Sequence, residues 1–293
     1  MKSTLLLAGL LAVSGSLAHA QGLTIAGNGR MGLQYDSNGF AGGSDWRAEH
    51  RLQLNFTATA EGDNGLRFGA FSRAQMDVGR TGLFSGSRVW VEASGLRLTF
   101  GNQNGAIATS GTARGVGGRI GYEGGQQHGE TGGLRGVITR FGGTAGAGAN
   151  TSGESTAHLR YAGDGWQAAI STERGRGVEL GVRAAFGAVT VAAGHQTARG
   201  GTVRASTASA HYNGGTWGVT GLVARVGSQT NGSVAANVTL GGGELYGYLG
   251  RIGGNDTYGV SYGLGLGGGA RIVAGGERVA GRTTASLGVT FRF

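Results

Sequence analysis

The stretch Arg282-Thr-Thr-Ala-Ser-Leu-Gly-Val-Thr-Phe-Arg-Phe293 alternates without a break. Thr283, Ala285, Leu287, Val289, Phe291 and Phe293 fall on one face, and Thr284, Ser286, Gly288, Thr290 and Arg292 on the other. Extended backbone turns its side chains to opposite faces at successive residues, so this is a strand with one apolar and one polar side. An apolar strand left as an open edge invites aggregation. It therefore needs a partner, and the first strand of the mature chain is expected to close against it.

Residues 1–20 read as an export leader. Lys2 supplies a positive start, Leu5 to Val13 is a short apolar run, and Ala18-His19-Ala20 is a small-x-small cleavage site. The expected mature domain is therefore 21–293. Lys2 is the only lysine, so its positive charge rests on arginine alone. The chain has no cysteine and no proline, but 66 glycines in 293 residues. Proline is excluded from the hydrogen-bonded interior of sheets, so its absence suits a chain that is nearly all paired strand. No apolar run in the mature chain is long enough for a membrane helix. A membrane reading then requires a closed barrel, the other way to satisfy every backbone group in lipid.

Alternation runs through most of the chain. Leu23 to Tyr35, Trp46 to Glu61 and Leu66 to Val78 form three long strands, followed by Ser87–Ala93 and Leu96–Gly101. Their polar faces carry Arg30, Arg47, Arg51, Arg67, Arg73, Arg88 and Arg97, together with Glu49, Asp77 and Glu92. From about 102 to 153 the alternation stops in a Gly-, Thr- and Ser-rich stretch, unusually long for a connection. That stretch holds Arg114, Arg119, Arg135 and Arg140 against Glu123 and Glu130. Strands then resume from Ser155 to the end, with clear phase up to Phe186 and in the last strand, and blurred phase between Val203 and Val279. The total is about sixteen, an even number within the range of membrane barrels. The charged faces cannot form a dry core, because unpaired buried charge is prohibitive. They must see water, and the apolar faces must see lipid. Tyr35 and Trp46 would then lie in an outer aromatic girdle. Phe56, Phe68, Tyr161, Trp166, Phe186, Phe291 and Phe293 would lie in an inner one. Trp90 falls on the polar face, where it is expected to pack under the long loop.

At this point the chain resembles the Gram-negative general porins, most of all those of alphaproteobacteria. The resemblance rests on Leu-Thr-Ile-Ala-Gly-Asn-Gly-Arg-Met-Gly-Leu-Gln-Tyr at 23–35, Leu-Arg-Phe-Gly-Ala at 66–70, the glycine-rich 263–276, and the terminal Gly-Val-Thr-Phe-Arg-Phe. It implies an all-β, transmembrane antiparallel barrel of sixteen strands in the outer membrane, assembled as a homotrimer. It also implies a third loop, here about 102–153, folded inward to constrict the pore, and an assembly signal at Phe293. Lipid and lipopolysaccharide would surround the barrel, and small hydrophilic solutes and anions would pass through it. Many such porins carry several acidic residues on that loop; here it is net basic. A water-filled pore with an arginine wall, faced by Glu123 and Glu130, is therefore expected to be weakly anion-selective. The alternative is a barrel with a non-transport role, an enzyme or an adhesin. No motif places a nucleophile beside a histidine, and no His/Asp/Glu spacing matches a metal site. No cofactor is expected, although a structural calcium ion is compatible with the family. Arginines spread over many strands argue against nucleic acid as a partner.

Overall fold

The computed structural model describes residues 20–78, 80–84, 86–113, 120–122, 127–138, 156–173, 177–199 and 203–293. The expected leader, apart from Ala20, lies outside these residues. So do Arg114, Arg119, Glu123 and Arg140.

The strands are β1 (Ala20–Asp36), β2 (Trp46–Glu61), β3 (Arg67–Asp77), β4 (Arg80–Phe84), β5 (Arg88–Ala93) and β6 (Leu96–Gly101), all ahead of the long loop. After it come β7 (Thr156–Ala162), β8 (Trp166–Glu173), β9 (Val178–Phe186), β10 (Val189–Gln196) and β11 (Ala205–Asn213). The chain ends with β12 (Trp217–Val226), β13 (Gln229–Leu240), β14 (Gly243–Ile252), β15 (Asn255–Gly267), β16 (Ala270–Val279) and β17 (Arg282–Arg292). All neighbouring pairs are antiparallel, and β1 pairs with both β2 and β17, so the sheet closes on itself. The short β4 lay in no expected strand. It pairs with the upper part of β3, while β5 pairs with the lower part. The two share one position in the wall, which makes seventeen segments a barrel of sixteen.

Closure follows the alternation of the last strand. Gly29 stands opposite Phe291 and Leu33 opposite Leu287. The Gly27 N–H donates to the Phe293 carbonyl at 2.7 Å, and the Phe293 N–H donates back at 3.1 Å. Glycine is needed on β1 because the two terminal rings lie across it. A Cβ on Gly27 or Gly29 would come within 2.3 Å of Phe293 or 2.2 Å of Phe291. Tight turns join the last strands. At Gly253–Gly254 both residues have positive φ, +58° and +84°, as a two-residue hairpin of the primed type requires.

The barrel is inverted relative to a water-soluble protein. Leu249 is 71% exposed on the outer face, whereas Gln34 and Thr257 are 1% exposed on the inner. The outer face carries paired aromatic rings at its borders. Tyr35 and Trp46 lie at the upper end, 5.0 Å apart, and Tyr161 with Trp166 at the lower, 5.2 Å apart. Tyr212 and Trp217 add a further lower pair at 5.1 Å.

The described part of the long loop is folded into the lumen. Its helix α1 (Ala106–Ser110) packs on β8–β10, and a 3-10 turn (Gly129–Thr131) packs on β13–β16. Ile107, Leu134 and Ile138 bury against Ala205, Leu222 and Ala224 of the wall, and Ile120 against Ala235, Tyr246 and Tyr248. These wall residues belong to the strands whose phase was blurred in the sequence. Their inner face meets the loop rather than water, so it is apolar too, and the alternation is lost.

The seam gives a direct prediction. Gly29→Val places a branched side chain where the Phe291 ring lies and should destabilise the closed barrel by about 1–3 kcal/mol. Gly22→Val, where an added Cβ meets nothing within 4 Å, should be near neutral. Unfolding temperature, read from the heat-dependent gel shift of the folded barrel, compares the two; equal shifts would contradict the packing described.

Candidate functional site: an arginine wall facing an inward loop

The inner face of β1–β6 collects the basic side chains expected there. Arg30 forms a two-pronged pair with Glu49, with Nε 2.9 and 3.0 Å from the carboxylate oxygens and Nη2 2.5 Å from Oε1. Both side chains are nearly buried, 9% and 3% exposed, and the planar fork of arginine suits this geometry. Arg47 donates to Gln34 Oε1 at 2.8 Å and lies over the Phe40 ring at 4.2 Å. Arg51 stands between Arg30 on β1 and Asp77 on β3 in the strand register. Arg73 donates to Asn55 Oδ1 at 3.0 Å, and Arg88 lies 3.8 Å from the centre of the Phe71 ring. Near the lower mouth Glu92 pairs with Arg97 and, at 3.6 Å, with the exposed Arg67. Asp77 accepts a hydrogen bond from Gln75 at 2.8 Å.

Three aromatic side chains, two in this wall and Phe40 in the β1–β2 connection, were not foreseen as arginine supports. Phe40, Phe71 and Trp90 each carry a guanidinium over their rings, and such contacts hold long side chains without neutralising them. The sequence did hold a signal for Phe71, an aromatic residue on the polar parity between Gly69 and Arg73. Trp90 does face inward, but its expected cover is different. It fills the notch over Gly69, where a Cβ would come within 2.0 Å of the indole, and supports Arg97 at 5.1 Å.

The loop is fixed to the other side of the barrel. Ser171 Oγ accepts the Ala106 N–H at 2.8 Å, Glu179 the Ile107 N–H at 3.1 Å, and Ser209 Oγ the Ala113 N–H at 2.8 Å. Glu277 is the strongest anchor. Its carboxylate accepts the backbone N–H groups of Gln127, His128 and Gly129 and the hydroxyl of Tyr248. The loop meets the arginine wall at Tyr122, whose ring lies 5.6 Å from the Arg30 guanidinium and whose carbonyl accepts from Arg30 at 3.5 Å. Burial, with the charge of Glu49 second, pushes the Tyr122 phenol up to about 12, so it stays neutral at physiological pH.

Glu130 does not present its charge to the arginines. It is 1% exposed against the opposite wall, where its carbonyl accepts from Ser233 Oγ at 2.6 Å and its carboxylate lies 3.6 Å from His128 Nδ1. The wall there offers small polar side chains that take up the loop backbone, and the carboxylate is enclosed with them. Arg135 is exposed in the second 3-10 turn (Leu134–Gly136).

Beside the loop an aqueous cavity of about 580 Å³ remains. Its charged lining is Arg30, Arg51, Arg271 and Arg292 against Glu244. Among the described residues no three His, Asp or Glu side chains are grouped to hold a metal ion.

The Glu277 clasp can be tested by removing its acceptor. Glu277→Ala leaves three loop N–H groups and the Tyr248 hydroxyl without their partner, at about 1–3 kcal/mol for each buried group left unpaired. The expected result is a noisier open-channel current in a planar bilayer, with the barrel still folded. A current as quiet as that of the unmodified protein would contradict an anchoring role.

Comparison with known proteins agrees with this architecture. A porin of Fuscovulum blasticum is 34% identical over 85 residues, a match spanning 27% of this chain and 29% of that protein. Among solved structures, a chain described under "Asymmetric conductivity of engineered proteins" superposes with a TM-score of 0.80 at 21% identity, covering 93% of this chain and all of that one. A triply substituted mutant of Rh. blastica porin superposes with a TM-score of 0.79 at 21% identity, over 92% of this chain and all of that one. The model of the family described as "Gram-negative porin" matches residues 4–292, and the chain belongs to that family.

Proposed function

We propose that the barrel is an outer-membrane channel for passive diffusion of small hydrophilic solutes and ions, with a weak preference for anions. The observation that carries the selectivity is the charge of the lumen that the loop leaves open. The cavity beside Tyr122 has four guanidinium groups and one carboxylate. In a confined aqueous path such an excess raises the local concentration of anions. The Arg30–Glu49 and Arg97–Glu92 pairs neutralise part of the wall, which keeps the preference weak. On this reading the loop is the constriction. Its buried Glu130 contributes little opposing field, since the carboxylate has no open path to the pore.

Self-assembly into a homotrimer fits one sector of the wall. β6 and β7 have 6 and 7 residues, fewer than the roughly 9–11 that a tilted strand needs to span lipid. Beside them the outer face has an apolar hollow of about 490 Å³, lined by Ala58, Ala70, Val89 and Phe100 among others. Other copies of the chain would cover that short sector, and lipid the rest. The exposed terminal ring of Phe293 is the proposed assembly signal, read before it settles over Gly27.

Reconstitution into a planar bilayer tests the channel. The reading expects stepwise conductance and a reversal potential on the anion side in a salt gradient. Arg51→Ala with Arg73→Ala should shift that potential toward zero. Absence of steps from folded protein would sink the channel, and cation preference would sink the selectivity alone.

A further inference from the structure

The cavity beside Tyr122 is more elaborately built than an open stretch of pore requires. The loop closes it from above: the Gly121 N–H donates to Ser261 Oγ at 3.0 Å, and the Tyr122 N–H to Ser286 Oγ at 3.4 Å. Below that roof the lining runs around the wall from β14 to β2. Strand register places the arginines. Arg51 faces Arg30, Arg30 faces Thr290, and Thr290 faces Arg271, so one row crosses β2, β1, β17 and β16. At a strand spacing of about 4.8 Å, the backbone positions of Arg30 and Arg271 are roughly 10 Å apart. Arg292 lies two residues along β17 from Thr290, diagonal to Arg271, where long side chains on neighbouring strands can meet. Two of the guanidinium groups are held in place. Arg30 is gripped by Glu49 and lies against Tyr122. Arg271 lies in the notch left by Gly263, where a Cβ would come within 2.4 Å of its Nε, and it donates to the Gly263 carbonyl at 3.2 Å.

Like charges on neighbouring strands weaken a sheet. Glu49 answers Arg30, which leaves Arg271 and Arg292 beside the single carboxylate of the lining, Glu244. A wall that only had to be solvated could carry small hydroxyl side chains there, as the inner face of β17 does at Thr284, Ser286 and Thr290. We infer that the cavity is a binding site for a solute with two anionic groups, each a carboxylate or a phosphate. One group is met by Arg271 and Arg292, the other by Arg51 beside Arg30. Planar guanidinium groups donate in pairs to the oxygens of either anion, and a roof that excludes part of the water strengthens each such bond. The Thr290 position, between Arg30 and Arg271 in the row, adds a hydroxyl to the same floor. A solute with one anionic group engages one end only. The inference rests on the channel reading, which gives the solute its route to the cavity, and adds the class of solute that is held there.

The test uses the full folded protein and three probes: inorganic pyrophosphate, succinate and, with a single anionic group, acetate. Single channels in a planar bilayer report block of the chloride current. Titration calorimetry in detergent reports binding whether or not a channel opens. Pyrophosphate or succinate should reduce the current saturably and bind at a single site, while acetate does neither. Whichever of the two binds more tightly assigns the phosphate or the carboxylate form, and either result supports the site. Arg271→Gln and Arg292→Gln should each raise the half-blocking concentration at least about fivefold. Arg183→Gln removes an equal charge from the inner face of β9, opposite Gln167 and outside the cavity. It should change that concentration less than about twofold. The heat-dependent gel shift checks that each variant is folded, and Arg292, exposed at the mouth, is the substitution least tied to packing. Equal effects of Arg183→Gln and Arg271→Gln would overturn the site in favour of a general field. Acetate acting as strongly as the paired anions would overturn it too, as would channel steps with no block and no heat of binding. Absence of steps together with saturable binding would count against the channel reading alone.

Discussion

Lipid offers no hydrogen bonds, so each backbone N–H and C=O in the wall must find its partner within the sheet. The pairing of β1 with β17 meets that constraint for a chain that has no membrane-spanning helix among its described residues. The seam is demanding because the two terminal phenylalanine rings lie across β1, and only glycine leaves room for them at 27 and 29. Once the seam is closed, strand alternation decides everything else. Apolar side chains have one place to go, outward, and charged ones the other.

The lumen then inherits the charge of the inner faces, and that charge is unevenly distributed. Most of the inward arginines lie on β1–β6, and Arg271 and Arg292 of the adjoining β16 and β17 extend that wall around the cavity. The loop occupies the other side, where it is held by serines, by Glu179 and above all by Glu277. Wall and loop are thus specialised in opposite ways. One side is charged, stacked on aromatic rings and wet. The other is small, partly apolar and covered. A buried carboxylate that accepts three backbone N–H groups is well suited to fixing a loop, because its charge is met entirely by donors.

Much of this was legible in the sequence, and the exceptions have physical causes. The faces of β1–β3 could be read because each meets a single solvent, water or lipid. The faces from β11 to β16 could not, because Leu222, Ala224, Tyr246 and Tyr248 point inward yet touch the loop. Alternation reports contrast between two environments, and here the contrast is gone. Glu130 was expected to face the arginines, since sequence marks a residue as acidic but not which way its loop turns. Glu277 gave no signal at all, because a single carboxylate on a strand looks like any other wall residue. The stacking of Arg88 on Phe71 and of Arg97 on Trp90 joins residues on neighbouring strands, and only register brings them together.

The central claim is that the aqueous path follows the arginine wall and that the opposite wall is sealed by the loop. The chain has no cysteine, so single thiols can be placed cleanly. The most direct measurement is bilayer current during addition of a negatively charged, water-soluble thiol reagent to Arg51→Cys and Ser209→Cys proteins. Ser209 lies beneath the loop, where it holds the Ala113 N–H. The account predicts a stepwise loss of current and of anion preference at position 51, and no change at position 209. Modification at 209 with none at 51 would contradict it.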